Sequence, residues 1–388
     1  MRPLEGVVVI ELSMLVSGSA CGKVLAEYGA EVIKVETGKG DNYRRFGEVF
    51  GVPAEADENI VFETVNSGKK FVQLNLRDEA DQLRMRKLLS KADVFVTNYR
   101  PAALKMMSLD YATLKEEFPR LIYASITGYG ERGSRVNRPG FDTVSFWAES
   151  GFLQDMMVDA PGSYPVYVPV GAGDSIVGTE LAGGVGMALY QREKTGRGTS
   201  VGISLYGTAI WTFSPLSSAT QYGYRWPRGR YEGSPGGTPY RTKDNLWVLT
   251  TLEKYSKYWP GLCRAFRAYE LIDDPRYNSR AATVVPENRK NAILALEKHA
   301  AELTADEICR ALDDEDIVYT VLGHMRDNHN CVPAIINDHV VAHVYDSGKE
   351  VTVAKPPMRF EGCGPMQHTP TGDVGADTEA VFAEFGID

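Results

Sequence analysis

The first 36 residues constrain the fold more than any other part of the chain. Val7 to Leu12 is a short, β-branched apolar run of the kind that forms a strand buried on both faces. A small-residue turn follows at Ser17-Gly18-Ser19-Ala20. A helical pattern then carries Val24, Leu25 and Tyr28 on one side and stops at Gly29, and a second strand is predicted over Glu31 to Glu36. Two such strands joined through a helix form a right-handed βαβ unit, hence a parallel sheet. The alternation continues through Phe71 to Leu76, a helix from about Glu79 to Ser90, Val94 to Asn98 and Leu121 to Thr127. This predicts an α/β protein beginning with half of a doubly wound sheet. A further helix is expected from Asp174 to about Lys194, with Ile176, Val177, Leu181, Val185 and Leu189 as its buried stripe. The turn Thr195-Gly196-Arg197-Gly198-Thr199 ends it, and a strand follows over Val201 to Leu205.

The 388 residues suggest two domains, three at most. Between Gln221 and Tyr240 stand five glycines, three prolines and three arginines, a long functional loop or a crossing between domains. From about Trp247 to Leu322 helical patterns dominate, for example Asn291 to Leu303 and Asp306 to Leu312. The last ~60 residues return to short strands and turns.

Charge and residue counts remove several function classes. Lys plus Arg is 42 against 51 for Asp plus Glu, a net −9 that argues against a nucleic-acid or anionic-membrane surface. No signal peptide and no membrane span are expected. Five scattered cysteines without a C-x-x-C pair point to a reduced, cytoplasmic protein without a metal site. Histidine is the sharpest count: there are six, and the first is His299. Chemistry in the N-terminal half must therefore use carboxylates, hydroxyls, a thiol, lysine or backbone amides. His324, His329, His339 and His343 lack metal-ligand spacing and read as ordinary polar or core residues.

Several positions carry two readings each. Glu36 ends the second strand where a ribose-binding carboxylate would sit in an NAD enzyme, but the preceding turn lacks G-x-G-x-x-G. Lys39, Arg44, Arg45, Lys69, Lys70, Arg77 and Arg100 gather near the carboxyl ends of the early strands, either for a phosphorylated ligand or as solvated charge. Cys21 reads as a small core residue or a nucleophile near a helix start. Asp174, in Gly173-Asp174-Ser175, reads as a helix N-cap. The same position also suits a nucleophile toward an acyl carbon, held ionised by the helix dipole, with flanking glycines admitting a carbonyl.

Taken together, the segments resemble the class III CoA-transferase (CaiB/BaiF) family over essentially the whole chain. The resemblance rests on Pro3-Leu4-Glu5-Gly6, Gly29-Ala30-Glu31-Val32-Ile33-Lys34-Val35-Glu36 and Ala92-Asp93-Val94-Phe95-Val96-Thr97-Asn98. It continues in Ser125-Ile126-Thr127-Gly128-Tyr129-Gly130, Arg138-Pro139-Gly140-Phe141-Asp142, Gly173-Asp174-Ser175 and Glu193-Lys194-Thr195-Gly196-Arg197-Gly198. It implies a CoA thioester as substrate, with no permanently bound cofactor, and a carboxylic acid as acceptor. It makes Asp174 the nucleophile, passing through an aspartyl mixed anhydride and an aspartyl-CoA thioester. CoA contacts then fall on Val16, Ser17, Leu74, Asn75, Leu76, Arg77, Asn98, Tyr99, Arg100 and Arg138, the last with its neighbours to Phe141.

The resemblance also implies a Rossmann-like large domain built from both chain ends, 1–220 and 331–388, and a smaller middle domain, 221–330. Two such chains interlock as a homodimer. A lid that keeps water from the anhydrides is expected, with Ser234-Pro235-Gly236-Gly237 as candidate. Formyl-CoA transferases carry glutamine where Val16 stands, arginine where Thr37 stands and a basic residue where Met106 stands, which argues against oxalate and formyl-CoA. Racemases of the superfamily use a histidine in Gly-His-Asp, whereas this chain has Gly140-Phe141-Asp142, and phenylalanine transfers no proton. The nearest likeness is to fermentative 2-hydroxyacyl-CoA transferases of the 2-hydroxyisocaproate and phenyllactate type. It is carried by Arg138 to Asp142, Ala219 to Gly223 and Asp273 to Asn278. The expected donor is an enoyl-CoA, and Phe146, Trp147, Met156 and Met157 are candidates for an apolar acyl pocket.

Overall fold

A computed structural model of the chain describes residues 1–387 except 228 and 365. Six strands form one parallel sheet: β1 (Val8–Leu12), β2 (Glu31–Glu36), β3 (Lys70–Gln73), β4 (Val94–Thr97), β5 (Ile122–Thr127) and β6 (Ser200–Ser204). Their order is β3-β2-β1-β4-β5-β6. That is the whole strand order of a doubly wound fold, where the sequence suggested half of one. In register, Ile10 lies between Ile33 on one side and Phe95 on the other. The third strand is shorter than predicted. After Gln73 the chain drops Leu74 and Leu76 into the core and turns into the helix Glu79–Lys91, whose N-cap Asp78 accepts from the Ala80 N–H.

Helix α1 (Ser17–Glu27) follows β1 and is buried over its whole length. Against it lies a long helix, Ala172–Thr195, which starts two residues earlier than the pattern suggested. The two approach closely at Gly178, where a Cβ would stand 2.6 Å from the Ser17 carbonyl oxygen and 2.7 Å from Ala20 Cβ. Only glycine permits that crossing. Val177, Leu181, Val185 and Ala188 form the stripe that the long helix buries. Ile176 is instead 40% exposed, because a neighbour of Val177 points about 100° round the helix.

These elements belong to one unit, comprising Met1–Leu153, Tyr167–Gln221 and His329–Asp388. Within it the C-terminal segment covers the free edge of the sheet. Asp377 accepts the Phe71 N–H at 2.7 Å and Thr378 Oγ1 accepts the Gln73 N–H at 3.0 Å, which satisfies an otherwise open strand. Tyr28 donates its hydroxyl to the Met358 carbonyl, and buried Glu63 receives both Tyr345 and His368.

The other unit comprises Gln154–Val166 and Tyr222–Asn328. It has a three-stranded antiparallel sheet (Tyr240–Arg241, Trp247–Thr251 and Val318–Val321) with helices Tyr255–Ala265, Pro286–Ala300 and Ala305–Asp314. Its core is built on Trp259, Phe266, Leu262, Ile293, Leu296 and Leu312. Among the described residues no helix is long and apolar enough to cross a membrane.

Candidate active site

In an open parallel sheet the strand order reverses at one place, here between β1 and β4, and the loops leaving those strands diverge to leave a crevice. A cavity of about 440 Å³ lies there. Met14, Leu15 and Ser17 enter it after β1, Asn98, Tyr99 and Arg100 after β4, Ile126, Thr127 and Gly128 at the end of β5, and Leu205 after β6. Pro139, Gly140 and Phe141 form another wall, and Asp174 reaches it from the first turn of the long helix.

The turn after β1 is held from three sides. Asn98 accepts the Met14 N–H at 3.0 Å, donates to the Met14 carbonyl at 2.7 Å and donates to Ser17 Oγ at 3.2 Å. Asp41 accepts the Leu15 N–H at 2.9 Å. Leu15 has φ +61°, a conformation that costs a branched residue about 1–3 kcal/mol and persists only where surrounding bonds impose it. Beneath the turn Lys34 Nζ donates to the Ser13 carbonyl at 3.1 Å and lies 3.0 Å from Asp41. A buried ion network thus fixes the loop that carries Ser17.

Asp174 is not the N-cap that the sequence suggested. The cap is Gly171, in the left-handed conformation at φ +83°, and Asp174 is the third helical residue. Nor does the helix end hold the carboxyl ionised. Burial pushes its pKa up to about 7; the negative charge of Asp142 adds to the rise and the Ser17 hydroxyl opposes it. Asp142 itself is 4% exposed, and its Oδ2 accepts the Gly171 N–H at 2.7 Å. The site therefore presents a half-buried carboxyl that titrates near neutrality, walled by apolar surface and facing a cavity open to a ligand. Such a group is a candidate nucleophile or proton carrier.

Of the sequence-predicted residues, Ser17, Asn98, Tyr99, Arg100 and Asp174 are brought together in the cavity wall. Val16 is buried behind it, packed with Ala20 and Val65. Leu74 and Leu76 are core residues, so their side chains are closed to a ligand, while Asn75 and Arg77 are exposed outside the cavity wall. Arg138 stacks on Tyr129 at 5.3 Å, beside the Pro139 wall. The basic cluster is mostly committed elsewhere. Arg44 grips Glu36 with two bonds of 2.8 Å, Lys69 is buried on Glu11, and Lys70 pairs with Glu31 and Glu384. The same Arg44 occupies the carboxylate that an NAD ribose would need.

Cys21 is fully buried, and burial drives its thiol pKa well up, so it is no nucleophile. Phe146 is fully buried core; Trp147 packs on it, and Met156 and Met157 belong to the other unit. Of Ser234 to Gly237, Pro235 and Gly236 are buried. Tyr240 donates to the Pro235 carbonyl at 2.6 Å and Thr250 to the Gly236 carbonyl at 3.1 Å, which ties the segment to its own unit. Arg228 of the same Gly-rich run lies outside the described residues. Sequence reasoning missed Met14, Leu15, Asn42, Ala103, Ile126, Thr127, Gly128 and Leu205 in the wall, and the Asp142 carboxylate beside Asp174. Asp142 and the Ile126-Thr127-Gly128 run carried a signal, since both lie in motifs already singled out.

Comparison with known proteins gives a consistent result. Residues 4–378 match the model of CoA-transferase family III. The chain is 35% identical to the (R)-2-hydroxy-4-methylpentanoate CoA-transferase of Clostridioides difficile, covering 99% of this chain and 96% of that protein. It is 32% identical to the cinnamoyl-CoA:phenyllactate CoA-transferase of Clostridium sporogenes, covering 98% and 93%. The crystal structure of Rv3272 from M. tuberculosis superimposes with a TM-score of 0.84 at 26% identity, covering 98% of each chain. A CaiB/BaiF family protein from Brucella suis shares the fold, with a TM-score of 0.83 at 23% identity over 99% of each chain. The α/β sheet, the cavity at its switch point and these matches agree: the chain is an enzyme that belongs to CoA-transferase family III.

Proposed function

We propose that the enzyme moves CoA from an acyl-CoA, in particular an enoyl-CoA, to a 2-hydroxy acid with an aliphatic or aromatic side chain, with Asp174 as covalent nucleophile. The observation that carries this reading is the half-buried Asp174 carboxyl in the cavity between the β1 and β4 loops. The acid class is supported by two relatives named for 2-hydroxy acids, one of which is also named for cinnamoyl-CoA, an enoyl thioester.

The Asp174 carboxylate attacks the thioester carbon, the C–S bond breaks, and the thiolate stays bound. The thiolate then attacks the Asp174 carbonyl carbon of the mixed anhydride, forming an aspartyl-CoA thioester and releasing the donor acid. The acceptor carboxylate attacks that thioester and frees the thiolate again. Thiolate attack on the acceptor's carbonyl gives the new acyl-CoA and restores Asp174. One thioester replaces another, so the task is to hold geometry and exclude water from the anhydrides. Ser17, Asn98, Tyr99 and Arg100 are proposed to bind the CoA arm. Backbone around Val16 and Leu74 to Arg77, and the Arg138 side chain, complete the suggested contacts.

We further propose a large domain from both chain ends, a small middle domain, and an interlocked homodimer. Trp211, Tyr190 and Met187, each more than 60% exposed on helices of the unit that holds the parallel sheet, favour a partner surface. Two differently tagged homodimers mixed without denaturant should form no heterodimer; rapid exchange rules out interlocking.

The nucleophile is tested by incubating the protein with several acyl-CoA thioesters, quenching, and mapping the mass of the Asp174 peptide. An acyl or CoA adduct on Asp174 is expected. Turnover without any adduct, even under rapid quench, overturns the assignment.

A further inference from the structure

Asp142 is a buried carboxylate with no role in the steps above. It begins the helical segment Asp142–Ala148, beside Phe141 of the cavity wall. It reaches across to the start of the long helix, where Gly171 offers no side chain to cap the free amides. Its Oδ2 takes the Gly171 N–H at 2.7 Å. The Gly173 and Asp174 N–H groups and the Trp147 indole N–H also point to its carboxylate. A Cβ on Gly173 would overlap its Oδ1 and stand 2.6 Å from Phe146 Cγ, so the first helical turn is pressed directly onto Asp142.

An isolated helix start favours a carboxylate: its amides point at the anion and stabilise it. A carboxylate stabilised in that way is a weaker base and a weaker nucleophile. Here another carboxylate already occupies the helix end. We propose that Asp142 is a positioning residue for Asp174: it claims the amides at the helix start and sets a buried negative charge against Asp174, leaving that carboxylate poorly stabilised and strongly nucleophilic. The proposal rests on the reading of Asp174 as nucleophile.

The groups facing the pair are few. From α1 comes Ser17, which bonds toward Asp174. Tyr43 approaches from the short helix Asn42–Arg45, feeling the charges of Asp174 and Asp41. Trp147 lies on Asp142's own segment and turns its indole N–H toward the Asp142 carboxylate. Helix Leu205–Thr212 carries Tyr206 as its one ionisable side chain. Among the described cavity residues the one cation is Arg100, which is exposed. No buried cation offsets the Asp142 charge in the balance that sets Asp174's titration; burial and Asp142 both push it upward.

The test is the pH dependence of Asp174 labelling by an acyl-CoA in a single turnover, read by peptide mass. In the wild type the rate should rise through a midpoint near 7. Asp142→Asn and Asp142→Ser each keep a neutral cap acceptor and remove the charge. In both, the midpoint should fall by about one unit or more and the high-pH plateau by about tenfold. An unchanged midpoint overturns the proposal, even where thermal stability falls, since a purely structural cap predicts that pattern. If neither variant folds, the infrared carboxyl bands of the wild type decide, with the Asp174 band assigned by its loss in Asp174→Asn. The Asp174 band should lose its protonated form near 7 while Asp142 is already ionised, and an Asp142 carboxyl still protonated there overturns the proposal. A wild type that takes no adduct from any thioester overturns the nucleophile reading itself, and is seen before any Asp142 variant is made.

Discussion

Lys34 Nζ lies 2.9 Å from Glu11 Oε1, and neither side chain is exposed to solvent. Lys69 Nζ reaches the other oxygen of the same carboxylate at 2.7 Å. Glu11 and Lys34 are on adjacent strands, and the network they form supports the turn that carries Ser17. Replacing Lys34 by Met leaves Glu11 and Asp41 without their shared cation. It should cost about 3–5 kcal/mol. Chemical denaturation of Lys34→Met checks this, and a loss under about 1 kcal/mol would contradict the account.

The same network sets an acid limit. Burial alone would raise the Glu11 pKa, but the Lys34 and Lys69 charges outweigh it and hold the group at about 2. A folded pKa below the unfolded one contributes stability that is complete above the unfolded value, about 4.3, and is lost as pH falls toward the folded value. Unfolding free energy should therefore decline from about pH 4.5 downward. Glu11→Gln should show a shallower decline; parallel curves for the two proteins would exclude Glu11 as a cause.

Asp174 behaves in the opposite sense. Its folded pKa of about 7 lies above the unfolded value, so its contribution is full below about pH 4 and is lost as pH rises through 7. Asp174→Asn should fold and lose turnover by about three orders of magnitude or more. It should also gain stability over the wild type as pH goes from about 5 to 8, by at most about 3 kcal/mol. Melting curves at the two pH values measure the gap. A gap independent of pH would falsify the inverted titration.

Asn98 ties the β4 loop to the β1 loop through three hydrogen bonds. Asn98→Ala should cost about 1–3 kcal/mol and raise the KM for acyl-CoA, since the Met14–Ser17 turn loses its outer support. An unchanged KM would mean that the turn is held by Asp41 and Lys34 alone.

Phe141 is 58% exposed at the cavity, where superfamily racemases place a histidine. Its neighbours in the wall, Pro139 and Gly140, carry no ionisable side chain, which leaves Asp174 without the histidine partner of a racemase. Turnover in deuterated water should therefore leave the α-carbon of the acyl group undeuterated by mass. Deuterium entering at a rate close to turnover would favour the racemase reading.

The βαβ start, the helix after it, the Gly173-Asp174-Ser175 position and the family were legible because each depends on residues close in sequence. Apolar alternation makes a strand, 3.6-residue spacing makes a helix, and an ordered series of short motifs marks the family. The cavity wall was half legible. Asn98, Tyr99 and Arg100 follow a predicted strand, whereas Leu205 and Asn42 reach the same cavity from unrelated places in the chain.

Tertiary structure alone decided the chemistry of the charged groups. In sequence, Lys69, Lys70 and Arg44 are equal members of a basic cluster. In the fold one is fully buried on Glu11, one is shared between two carboxylates, and one is spent on Glu36. The sequence placed Asp174 at a helix start, where the dipole favours its ionised form. Burial and the charge of Asp142, a residue 32 positions away, reverse that preference. The physical reason is general: backbone conformation responds to near neighbours along the chain, while the energy of a charge responds to whatever the fold places around it.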